Sequence, residues 1–178
     1  MSLQHDLERI AAAAAAHGHV TGVLAAEPAP GRRAYLVALG EDDARRWLAV
    51  GDDGEPVDDR ELVRQVAALV VMCELASDAA GGGDLEELRQ TLAQVRITEQ
   101  PDGIEQAEEA ALELERALGS PPRLASPAYL DDVGAATRRL EQALGEQGSA
   151  FANVVAAGSA AVDGFVEDVL ARYLVPLG

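Results

Sequence analysis

Residues 58–80 read DDRELVRQVAALVVMCELASDAA, and the rest of the chain is arranged around what this segment must become. Leu62, Val66, Leu69, Val70 and Cys73 recur at spacings of three and four, which gathers them on one face of an α-helix. Val63, Ala67 and Val71 widen that face past a single stripe. A helix apolar over so much of its girth cannot lie on a surface, so the segment is predicted to be central and covered from two sides. Asp58 is placed to accept from the amide of Glu61 while Glu61 reaches back, a capping box that opens the helix. Gly81, Gly82 and Gly83 close it, because glycine takes a left-handed cap without steric cost.

Upstream, Leu3, Leu7, Ile10 and Ala14 follow helical spacing, with Ser2 as cap and Gly18 as terminator, so a first helix is predicted over 3–17. Val20–Ala26 and Ala34–Leu39 read as strands of a hairpin joined through Pro28, Ala29, Pro30 and Gly31. Tyr35, Val37 and Leu39 share one face while Leu36 and Ala38 share the other, so both faces are at least partly covered. Residues 45–50 are ambiguous: Trp47 and Val50 suit a strand, while Asp42 or Asp43 could cap a short helix. The strand is favoured, since Asp52, Asp53 and Gly54 supply the turn that follows.

Downstream the pattern is helical throughout. Asp84 and Glu87 repeat the capping box, and Leu85, Leu88, Leu92 and Val95 follow. Ile104, Ala107, Ala111, Leu114 and Leu118 form the next seam, ending at Gly119. Ser126 and Pro127 open another through Leu130, Val133, Thr137, Leu140 and Leu144. Phe151, Val155, Gly158, Val162, Phe165 and Val169 extend the spacing over roughly 25 residues, on the order of 38 Å of helix. Short connections between such seams favour antiparallel packing. The expected fold is therefore α+β and predominantly helical: an N-terminal helix and a small antiparallel sheet of two or three strands on a central helix (1–80), then an antiparallel helical bundle region (84–178). Helices 3–17 and 58–80 are expected on one face of the sheet. The order helix, three strands, helix is similar to that of acidic secretion-type chaperones, which lack so long a helical tail.

Composition bounds the chemistry. At 178 residues the chain can bury a self-sufficient core as one domain or two small ones, and with 3% aromatics that core must be Ala, Leu and Val. Thirty-one acids against fourteen bases give a formal charge of −17, and every base is Arg. Such a chain repels phosphate backbones and anionic bilayers, so neither nucleic acid nor membrane is an expected partner. Without Lys there is no Schiff base and no Walker-type phosphate lysine. Cys73 sits on the apolar face and reads as a small buried hydrophobe. The apolar run Val66–Cys73 is far below the ~20 residues that span a bilayer, and Ala11–Ala16 lacks the basic flank of a signal peptide. A cytoplasmic protein is expected.

Four residues come nearest to metal ligation. His17 and His19 would point to one side of a strand, yet two imidazoles are not a site, and His5 lies about 18 Å away along a helix. Glu105 and Glu108 match the first Glu-x-x-Glu element of the all-α nucleotide pyrophosphohydrolases, but Asp131 and Asp132 follow without the paired Glu. No Glu-x-x-His accompanies them, as a dimetal bundle would need. Solvent-facing histidines and a solvated acidic face are the expectation, with no catalytic, cofactor or metal site. The Arg32/Arg33 pair is expected near Asp52 and Asp53, and Arg45/Arg46 near Glu41–Asp43. What remains is a non-catalytic acidic module that associates with itself or another protein; the alternative is a small-molecule binder or a magnesium-dependent carboxylate enzyme.

Overall fold

The computed structural model describes residues 2–81, 90, 92–94, 104–119, 123–144 and 159–177, the side chains of 79–81, 141, 144, 159 and 160 excepted. The elements are α1 (Leu3–Ala14), β1 (Val20–Ala29), β2 (Arg32–Leu39), a 3-10 turn (Asp42–Ala44), β3 (Arg46–Gly51), α2 (Arg60–Gly81), α3 (Ile104–Leu118), β4 (Leu124–Ala125), α4 (Pro127–Leu144) and α5 (Ser159–Ala171). The fold is α+β. Two compact units emerge: Met1–Met72 with Pro121–Pro127 and Ala160–Gly178, and Cys73–Ser120 with Ala128–Ser159. The first unit thus draws in two segments from far along the chain. The capping box at Asp84 and the start of the last helical seam lie outside the described residues.

The sheet has four strands in the order β3-β2-β1-β4, where two or three were expected. β1 and β2 pair antiparallel around the two-residue loop Pro30–Gly31, Ala29 facing Arg32. Pro30 presets its own φ, and Gly31 takes the positive φ of 74° that the next turn position requires. Pro28 falls within β1, at a register irregularity between Ala26 and Ala29, where a missing N–H is tolerated. β4 is the unexpected strand: two residues, parallel to Ala25 and Ala26. So short a segment has no alternation to read, and only its partner makes it a strand. The favoured strand reading of residues 45–50 holds, with β3 at Arg46–Gly51; the helical alternative does not reach them, and a 3-10 turn at Asp42–Ala44 comes before the strand.

One sheet face carries Ala25, Tyr35, Val37, Leu39, Leu48 and Val50, packed with Ile10 and Ala14 of α1. Ser2 caps α1 through its hydroxyl, 3.3 Å from the His5 amide. The opposite face, with Ala34, Leu36, Ala38, Trp47 and Ala49, is buried too. The Trp47 ring meets Phe165 of α5 edge-on, 5.3 Å between centroids. The cluster under α1 takes no side chain from α2. The expectation that both helices share one face therefore fails, because a sheet apolar on both sides needs separate cover for each.

In α2 the residues Val63, Val66, Ala67, Leu69, Val70, Cys73 and Ala76 are buried, about half the circumference. Arg64, Gln65 and Met72 face solvent, so the helix is covered on one broad side and not all round. Its cap is Asp59, not Asp58: Asp59 Oδ1 accepts from the amides of Glu61 at 3.0 Å and Leu62 at 3.4 Å. Glu61 does not reach back; its carboxylate lies 3.8 Å from Arg64.

Within the second unit the α3 and α4 seams are buried at the positions their spacing marks. Ala107, Ala110, Ala111, Leu114 and Leu118 of α3 pack with Val133, Ala136 and Leu140 of α4, with Leu92, and with Ala76 of α2. Leu114 and Leu140 are fully buried, each contributing ~1.5–3 kcal/mol over an exposed position. Gly119 ends α3 at a φ of 64°, and α4 opens on Pro127. Thr137 buries its hydroxyl by donating to the Val133 carbonyl at 2.7 Å.

Candidate functional site

Three constellations gather polar or exposed apolar groups. The first joins α1 to the sheet. Asp6 is buried, with Arg33 3.3 Å from one carboxylate oxygen and Arg9 3.7 Å from the other. Arg9 also reaches Asp52, whose Oδ1 accepts from the Tyr35 hydroxyl at 3.2 Å. The hydroxyl of Tyr35, then the charges of Glu27 and Asp52, hold Arg33 more firmly protonated. Burial raises the Tyr35 phenol, Arg33 draws it partly back, and Asp52 adds to the rise. Each Asp6 oxygen faces a guanidinium, so this carboxylate is a clamp and not a free base. The sequence expectation holds in part: Arg33 feels the charge of Asp52, but its ion pairs are with Asp6 and, at 3.8 Å, Glu27. Arg45 lies 5.8 Å over the Trp47 ring, and Arg46 donates to the Arg45 carbonyl.

The second constellation closes the β3 edge. Trp47 N–H donates to the Arg172 carbonyl at 3.0 Å, and Leu174 N–H returns to the Trp47 carbonyl at 2.8 Å. The Tyr173 hydroxyl accepts from the Ala49 amide at 2.9 Å and faces the Val57 carbonyl at 2.7 Å. Burial pushes this phenol up to about 12. The Trp47 indole donates to Asp168 at 3.1 Å, and Asp168 holds Arg172 at 3.0 Å. An edge strand that would otherwise expose unpaired backbone is covered by the chain itself.

The third lies on α3. A partly open cavity of about 180 Å³ is lined by Leu92, Ala93, Glu108, Ala111 and Leu112. Leu112 is 41% exposed, with Glu108, Glu109, Glu115 and Arg116 as its neighbours one turn away on the helix surface. Glu105, Glu108, Leu112 and Glu115, spaced three, four and three, form one stripe. Glu113, on another line of the helix, pairs with Arg139 of α4 at 3.1 Å. The signal was legible: Leu112 falls off the Ile104–Leu118 seam, where an apolar residue has no core to join.

His17 and His19 are exposed in the turn after α1, Glu105 is exposed, and Glu108 is half-buried at the cavity. Among the described residues no three His, Cys, Asp or Glu side chains gather as a metal would need. Comparison with models of protein families, with curated proteins and with solved structures finds no match to this chain. Function rests on these surfaces alone. No helix among the described residues is long and apolar enough to cross a membrane.

Proposed function

We propose that the protein is a non-catalytic, acidic protein-interaction or oligomerisation module of the cytoplasm, whose helical unit is an antiparallel bundle presenting α3. The observation that carries this reading is Leu112, exposed within a line of glutamates at the mouth of an apolar cavity. Packing gains nothing from leaving a leucine wet, and beside a cavity such a residue supports recognition. The net charge of −17 selects against nucleic acid and anionic membranes and in favour of protein partners. Light scattering with binding of an apolar dye tests the module. A self-association constant or a saturable dye site supports it; a strict monomer that binds no dye removes it.

The runner-up, a small-molecule binder or magnesium-dependent carboxylate enzyme, draws on Glu108 at the cavity and Glu105 one turn before it. Calorimetric titration with magnesium decides it, and absence of binding at millimolar metal ends it.

A further inference from the structure

We draw no further inference here: the strongest candidate, the partly open apolar cleft on α3 beside Leu112, carries nothing beyond the reading above, because Glu108 and Glu115 already have partners, Arg116 stands one turn from Leu112, and nothing in the structure shows what covers the cleft.

Discussion

Tyr173→Phe isolates a single oxygen at the edge of the sheet. The ring belongs to the cluster with Ile10, Leu48 and Val50, and phenylalanine preserves that packing. The hydroxyl does not survive. It accepts from Ala49 N–H at 2.9 Å and sits 2.7 Å from the Val57 carbonyl. The Ala49 carbonyl keeps a partner, because Val57 N–H donates to it at 2.8 Å. The Ala49 amide and the Val57 carbonyl lose theirs. A buried polar group stripped of its partner costs ~1–3 kcal/mol. The phenol is only partly buried and water can replace some of it, so we expect a loss of ~1–3 kcal/mol in total. For a chain of this size that lowers Tm by roughly 3–10 °C. Trp47, the only tryptophan, is buried on the same strand and reports urea unfolding without a label. Hydrogen exchange at the Ala49 amide gives an independent local readout. A midpoint within 0.5 kcal/mol of wild type, roughly the scatter of a neutral surface change, with unaltered protection at Ala49, would refute the pinning role.

Other outcomes follow from the same geometry. The Tyr173 phenol is raised by burial from 10.0 to about 12 in the folded chain, so its contribution is complete below pH 10 and is lost as pH climbs through 12. Alkaline unfolding by Trp47 fluorescence should steepen across that window, and less so in Tyr173→Phe; parallel curves would contradict this. Asp59→Ala should cost about 1 kcal/mol in urea and Asp58→Ala only a few tenths, since Asp59 accepts the first amides of α2. Equal effects would restore the cap to Asp58. Gly40→Ala should destabilise by about 1–2 kcal/mol, because φ is 77° and a Cβ would stand 3.0 Å from the Ala44 carbonyl oxygen. At Gly22, where a Cβ meets nothing within 4 Å, the same change should stay within about 0.5 kcal/mol of wild type in thermal unfolding.

The helices α1, α3 and α4 were legible because their information is local. Ser2 caps, Gly119 terminates, Pro127 opens, and a spacing of three and four names the buried residues. The hairpin was legible from Pro30 and Gly31 for the same reason. The candidate site was half legible: Glu105 and Glu108 stood out as a pair, but the cleft needs Leu92 and Ala93 beside α3, and no spacing along one helix reveals a neighbour. Strand register rightly brings Arg33 near Asp52, but its ion pair with Asp6 was not legible, because α1 lays that residue across the same sheet end.

Amino-acid order alone settled helices α1, α3 and α4, the β1–β2 hairpin, their apolar faces and the acidic character, since each follows from neighbours a few positions apart. Tertiary structure alone decided that Leu124 and Ala125 form a strand, that Tyr173 pins residues 172–174 to β3, and that Leu112 borders a cavity. Those features join groups tens to more than a hundred residues apart, and such a meeting leaves no periodic trace in either partner.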